Sequence, residues 1–201
     1  MIDLSKLFNL YYGWWKNIDK FILFLILFLF FLGLFFSLVS TSIIASDKLN
    51  TNTYYFFIKH LLFFILGVFI LITFSAIDKA RLFQISKYLF IIFFIFLALV
   101  PFIGVEVKGS MRWIDLPLIP RFQPIEILKP FLIIMISTIF TLNNQKHLYF
   151  KYLFSFLIIF PVILFLVSQP DLGQTILIVL TWFSLIFVSG INLLYFLSFF
   201  I

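Results

Sequence analysis

The residues best suited to bind a charged ligand lie between Glu106 and Lys129, in a chain that otherwise avoids charge. Seven acidic and basic side chains occur in this stretch, and long uncharged runs lie on both sides of it. Such a cluster must either remain in water or line a cavity enclosed by protein, since lipid offers an ion no partner. This stretch is therefore the first place to expect a substrate site.

Three cations in this stretch suit a diphosphate group. Lys108, Arg112 and Arg121 lie in one short loop, and Gly109 allows its backbone to turn tightly. Arg offers forked donors to phosphate oxygens, and Lys offers a point charge. An alternative is that Arg112 faces lipid phosphate beside Trp113, an ordinary aromatic residue of the membrane interface. The residues alone leave both readings open.

Gln123 and Pro124 introduce a predicted helix. Pro suits the first turn, where its missing N–H leaves no gap, and an early Glu126 complements the positive end of the helix. Lys129 follows three residues later on the same face. The Glu126–Lys129 pair either neutralises itself at the start of a membrane helix or lines a cavity for a polar headgroup.

A further polar element, around Asp171, interrupts an otherwise apolar stretch. Pro170 and Gly173 are expected to break the helix there, and Asp171 can cap the helix that follows. An acidic residue at such a break in a membrane protein is also a candidate for function by default. Capping and function explain the residues equally well.

The remaining sequence is that of a membrane protein. A hydrophobic content of 64%, a charged content of 11% and a mean hydropathy of +1.23 exclude a soluble globular protein. The absence of Cys excludes disulfides and thiolate metal sites, and His60 and His147 cannot form a zinc site alone. The net charge of +6 does not indicate nucleic acid, because the basic residues flank apolar segments.

The uncharged runs predict an all-α, polytopic transmembrane helix bundle. Roughly 20 residues, at about 1.5 Å each, cross a hydrocarbon core of ~30 Å. The run after Lys20 is too long for a cleavable signal peptide and is expected to remain as an anchor. Within a single membrane domain over residues 1–201, six spans are predicted, at about 21–45, 57–77, 88–105, 125–142, 150–168 and 173–195.

The distribution of Lys and Arg predicts a cytoplasmic N-terminus. In that orientation eight such residues lie inside and six outside, and four of those six belong to the suspected functional stretch. The loop at about 106–124 and the break at Asp171 then share the extracytoplasmic side. The two polar elements are therefore expected to meet.

Together the polar motifs resemble the SEDS family of polytopic membrane proteins (shape, elongation, division and sporulation), most closely its cell-division branch. The resemblance is carried by the lead-in WWKNIDK and by the segments KGSMRWI, FQPIEILKP and QPDLGQT, at residues 14–20, 108–114, 122–130 and 169–175. Their order, spacing and placement relative to the spans agree with the family. One departure is Ile125, where the family usually has Ser.

The resemblance implies a peptidoglycan glycosyltransferase of cell division that polymerises lipid II outside the bacterial cytoplasmic (inner) membrane. Lipid II is an undecaprenyl-diphosphate-linked disaccharide-pentapeptide. The implied protein partners are a class B penicillin-binding protein and other proteins of the division machinery. The resemblance implies no definite cofactor. It leaves open whether a divalent cation binds together with the lipid diphosphate.

The resemblance also implies roles for individual residues. The implied substrate-binding side chains are Lys108, Arg112, Trp113, Arg121, Gln123, Glu126, Lys129 and Asp171. The implied structural residues are Gly109, Pro124, Pro170 and Gly173.

Family members have about ten spans, and their general base lies in a large extracytoplasmic loop after the seventh. No residue of this chain corresponds to that base, so no catalytic residue is expected here. We expect the chain to be either a fragment or the product of an interrupted gene, and the 201 residues alone not to polymerise lipid II.

Two other classes of function fit the same residues. A lipid carrier or flippase would need the cationic cavity but no base. A non-catalytic membrane subunit of the division machinery would use the charged loop only to contact partners. In that case Ala in place of Arg112 or Lys129 would leave lipid II binding unchanged.

Overall fold

The structure is a computed structural model that describes residues 12–41, 54–107, 109–117, 119–141 and 148–190. Its helices fall into two units, Met1–Asp78 and Lys79–Ile201, and each is described by itself. Among the described residues, five helices are long and apolar enough to cross a membrane.

The first unit contains two long apolar helices, α1 (Lys20–Thr41) and α2 (Tyr55–Ser75). They pack closely where a Cβ on Gly67 would lie 3.2 Å from the ring of Phe30. Most of their large apolar side chains are exposed, as expected of helices whose outer faces lie in lipid.

The second unit is a bundle of four helices that carries the predicted site. They are α3 (Lys79–Ile103), α4 (Pro124–Thr141), α5 (Leu148–Ser168) and α6 (Leu172–Val188). Aliphatic side chains from all four form its buried core, which consists of Leu97, Ile125, Leu128, Leu132, Ile136, Ile159, Val162, Leu166 and Ile178.

The charged loop between α3 and α4 folds into a three-stranded antiparallel sheet. Its strands are β1 (Val105–Val107), β2 (Ser110–Leu116) and β3 (Ile119–Phe122), in the order β1-β2-β3. Gly109 has a φ of +82° in the turn between β1 and β2, a conformation that favours glycine. The sequence predicted a polar loop here. It contained no alternating polar and apolar pattern that would predict strands, because the strands are short and irregular in register.

The helices overlap the predicted spans but differ from them at the ends. Helix α3 begins at Lys79, well before the predicted span at 88–105, because the polar residues ahead of that span continue the helix. The described part of α6 has 17 residues, fewer than the other five long helices. Parts of three predicted spans (42–45, 142 and 191–195) lie outside the described residues, as does Lys108.

Candidate functional site

Arg112, on β2, holds the turn between α5 and α6. Its Nη1 lies 3.3 Å from Asp171 Oδ1. Its Nε donates to the carbonyl oxygen of Gln169 at 3.3 Å, and its Nη2 donates to that of Pro170 at 2.5 Å. The loop and the helix break, predicted to meet, are therefore joined through one guanidinium.

The carboxylate of Asp171 is buried, and both of its oxygens accept hydrogen bonds. The residue is 4% exposed, and Oδ2 accepts a hydrogen bond from Gln123 Nε2 at 2.9 Å. Oδ1 accepts from the backbone N–H of Gln174 at 3.4 Å, which makes Asp171 the N-cap of α6. The cap and the ion pair to Arg112 thus occur in the same side chain.

The helix break is narrower than the sequence predicted. The chain leaves helical conformation only between α5 and α6, at residues 169–171. Gly173 does not contribute to the break, because it lies within the first turn of α6. A Cβ added to it would meet no atom within 4 Å. Gln169, in the break, is buried, and its Nε2 donates to the carbonyl oxygen of Leu97 at 3.3 Å, which joins the turn to α3.

A second polar cluster contains Glu126, Lys129 and Gln174. The ammonium of Lys129 lies 2.7 Å from Glu126 Oε2 and donates to Gln174 Oε1 at 2.9 Å. Gln174 Nε2 in turn donates to Glu126 Oε1 at 2.6 Å. The Lys129 side chain is 17% exposed and that of Glu126 is 48% exposed, so the cation is the more buried member of the pair.

Helix α4 begins at Pro124, and this start places Glu126 in its first turn. The Glu126–Lys129 spacing brings both side chains to one face of the helix, as the sequence predicted. Gln174 was not among the predicted site residues. Its signal was its position three residues after the cap Asp171, at the start of the next helix.

The other predicted residues lie on the sheet. Arg121 pairs with Asp115 at 2.6 Å on the sheet surface, where both side chains are nearly half exposed. Such a surface pair contributes only about 0–1 kcal/mol to stability. Trp113 is half-buried in β2, in register with Val105 of β1.

An apolar groove of about 430 Å³ adjoins Lys129. It is lined by side chains of α4, α5 and α6, among them Leu132, Ile136, Ile159, Leu177, Ile178 and Trp182. Lys129 is the charged residue of its lining. A groove that combines an apolar wall with one ammonium suits a lipid with an anionic headgroup.

A more open hollow of about 970 Å³ lies beside the sheet and the end of α5. Among the described residues, its lining includes Glu106, Ser110 and Gln169 and no cation. Of these two spaces, the groove is the one with a described cation, Lys129, in its lining. Within the described residues, no three His, Asp or Glu side chains lie close enough together to hold a metal ion.

The comparisons with known proteins agree with this architecture. A family model described as cell cycle protein, FtsW/RodA/SpoVE, matches residues 19–201. The chain belongs to this family. The FtsW/RodA/SpoVE family is the one that the polar motifs of the sequence indicated.

Curated relatives carry the name FtsW. The probable peptidoglycan glycosyltransferase FtsW of Pasteurella multocida is 37% identical over 99 residues, which are 47% of this chain and 24% of that protein. The protein of the same name from Buchnera aphidicola subsp. Baizongia pistaciae is 40% identical over 95 residues, 46% of this chain and 24% of its own length. Each match spans about a quarter of the relative's length.

Two solved structures share the fold. The rod shape determining protein RodA of Thermus thermophilus superimposes with a TM-score of 0.63 and 24% identity, over 83% of this chain and 56% of RodA. A chain of a peptidoglycan synthase complex, described for its coordination of polymerization and crosslinking, superimposes with a TM-score of 0.60 and 24% identity, over 79% of this chain and 47% of that chain. This FtsW/RodA/SpoVE member therefore has the polytopic helical fold of RodA and is a multi-pass membrane protein.

Proposed function

We propose that this chain is the lipid-binding part of a peptidoglycan glycosyltransferase of cell division that polymerises lipid II. The observation that supports this most is the position of Lys129, whose ammonium adjoins an apolar groove between α4, α5 and α6. A polyprenyl diphosphate combines a long apolar tail with an anionic head, and this groove matches both parts. The names of the curated relatives point to the same substrate class.

In the proposed complex the polyprenyl chain lies along the groove and a phosphate oxygen contacts Lys129. An ammonium can donate three hydrogen bonds, and two contacts of Lys129 go to Glu126 and Gln174. These contacts hold the ammonium in place before the ligand arrives, so little reorganisation is needed when negative charge develops on the departing diphosphate. The carboxylate that deprotonates the acceptor hydroxyl is expected outside this chain.

The remaining predicted residues support the groove or extend the site. Arg112, Gln123 and Asp171 join the sheet and the start of α4 to the turn before α6, and so hold the groove-lining helix α6 in place. Trp113 and Arg121 remain proposed contacts for the sugar or the peptide.

The acidic residues of the site are the side chains that could bind a divalent cation. The acidic residues of the two polar clusters, Glu126 and Asp171, already accept hydrogen bonds from protein groups, Glu126 from Gln174 and Asp171 from Gln123. A divalent cation would therefore be held mainly by the oxygens of the diphosphate itself.

The resemblance to the family also suggests where the protein lies and which proteins it binds. The protein would lie in the bacterial inner membrane with a cytoplasmic N-terminus, and the sheet would face the outside. A class B penicillin-binding protein and other division proteins would be its partners. Similarity in fold to a chain of a peptidoglycan synthase complex supports a partner that crosslinks the strands.

The first test compares ligands that differ only in the headgroup. The chain, reconstituted in lipid nanodiscs, is titrated with undecaprenyl diphosphate, undecaprenol and inorganic diphosphate. Because a hydrogen bond to a charged group contributes about 1.5–3 kcal/mol, undecaprenyl diphosphate should bind about 10- to 100-fold more tightly than undecaprenol. Inorganic diphosphate should bind more weakly than the lipid, since it leaves the groove empty. Equal affinities for the two lipids would refute the proposed site.

A second test uses the absence of Cys, which allows clean single-Cys labelling. Met111→Cys on β2 and Leu172→Cys at the start of α6, both at exposed positions, should react with a membrane-impermeant maleimide added to intact spheroplasts. Ala80→Cys, at the opposite end of α3, should react only after permeabilisation. Labelling of Ala80→Cys alone in intact spheroplasts would reverse the proposed orientation.

A further inference from the structure

Gln174 contacts both members of the Glu126–Lys129 pair from the neighbouring helix. Its amide nitrogen donates to Glu126 and its amide oxygen accepts from Lys129, at 2.6 and 2.9 Å. A carboxylate can only accept and an ammonium can only donate, so the reversed amide would face both partners wrongly. The orientation of this side chain is therefore determined by the two charges.

Gln174 also lies on the groove-facing side of α6. Leu177, Ile178 and Thr181 line the groove, and they follow Gln174 at the spacing of one helix face. On α4, Leu132 and Ile136 follow Lys129 in the same way. Gln174 and Lys129 thus lie at the N-terminal ends of the groove-lining faces of α6 and α4, where their hydrogen bond joins the two helices.

We propose that Gln174 is a positioning residue that fixes the ammonium of Lys129 at the head of the groove. In doing so, it sets the preference of the groove for a polyprenyl lipid with an anionic head over a neutral one. This inference rests on the proposed function and deepens it.

The physical basis is the flexibility of Lys. Its four-carbon stem allows the ammonium many positions, and the contact with Glu126 alone leaves several of them open, because both residues lie on α4. A second contact from α6 restricts the ammonium to the space between the two helices. A phosphate held there meets a cation that is already in place.

Two substitutions of Gln174 separate positioning from packing. Gln174→Glu keeps the size of the side chain but places an anion beside Glu126, so the cluster acquires a net negative charge. We expect its affinity for undecaprenyl diphosphate to fall about tenfold or more. Gln174→Ala removes both hydrogen bonds but leaves the ion pair, and we expect a smaller fall of about threefold. Neither change should alter the affinity for undecaprenol.

The control is Gln84→Glu, the same chemical change at an exposed position of α3. It should leave the affinities for both lipids unchanged. If both Gln174 variants keep the wild-type ratio of the two affinities, or lose both lipids equally, Gln174 does not position Lys129. A wild-type chain without preference for the diphosphate would overturn the proposed function as well, whereas a normal wild-type preference kept by both variants would overturn this inference alone.

Discussion

Replacement of Asp171 by Ala is expected to lower the free energy of unfolding by about 2–4 kcal/mol, because it leaves partly buried partners without their carboxylate. Arg112 would lose its ion pair and Gln123 its acceptor, and α6 would lose its N-cap, which by itself contributes about 1 kcal/mol. The Asp171 side chain is almost fully buried and that of Arg112 is partly buried, so water replaces the lost contacts only in part. Unfolding in mixed micelles, followed by helix content, would measure the loss.

The matched control for this prediction is Asp115→Ala. Asp115 also pairs with an arginine, Arg121, but both side chains lie on the sheet surface. That pair should contribute no more than about 1 kcal/mol. Asp171→Asn keeps one acceptor oxygen, which can serve either the cap or Gln123 but not both, so its loss should lie between those of the two Ala variants. Equal losses for Asp171→Ala and Asp115→Ala would show that the buried network does not stabilise the fold.

Lys129→Met is expected to abolish most of the selective binding of undecaprenyl diphosphate. Met keeps the apolar stem along the groove but removes the ammonium, so the loss should be about 10- to 100-fold for the diphosphate lipid. Binding of undecaprenol should not change. Lys129→Arg should retain part of the affinity, since the charge remains but the geometry differs. Titration of nanodisc-embedded protein with both lipids would measure each effect.

Two further variants show whether the effect is specific to this site. Lys87→Met removes the same charge from an exposed position of α3 and should have no effect on either lipid. Arg112→Met should mainly lower stability, because the guanidinium contacts the turn before α6. If Lys129→Met binds the diphosphate lipid as tightly as the wild type, the chain is better explained as a non-catalytic subunit.

Features that depend on neighbours along the chain could be predicted from the sequence. Helix α4 begins at Pro124, and Asp171 caps α6, because both signals are local to a helix start. The Glu126–Lys129 pair follows from helical spacing alone. The bundle itself followed from the long apolar runs, and the family model and the RodA fold confirm it.

Features that depend on tertiary packing could not be predicted. The spacing from Asp171 placed Gln174 at the start of a helix but did not indicate its contact with Glu126 and Lys129, since that contact requires α4 and α6 to pack side by side. The sheet was missed because its strands are short and irregular in register. The sequence also suggested that Arg112 is available to bind a diphosphate. In the structure its guanidinium already contacts protein oxygens in the turn before α6.

The pairing of cations with acids has a consequence for the lipid selectivity of the proposed site. Arg112, Arg121 and Lys129 each face a carboxylate, so these pairs together carry no net charge. An unbalanced basic patch would attract every anionic phospholipid of the leaflet over a Debye length of about 10 Å. A site without net charge attracts anionic lipids only weakly at that range. It therefore binds tightly only a molecule that fits at contact distance. The proposed polyprenyl diphosphate ligand can then compete with other anionic lipids around it.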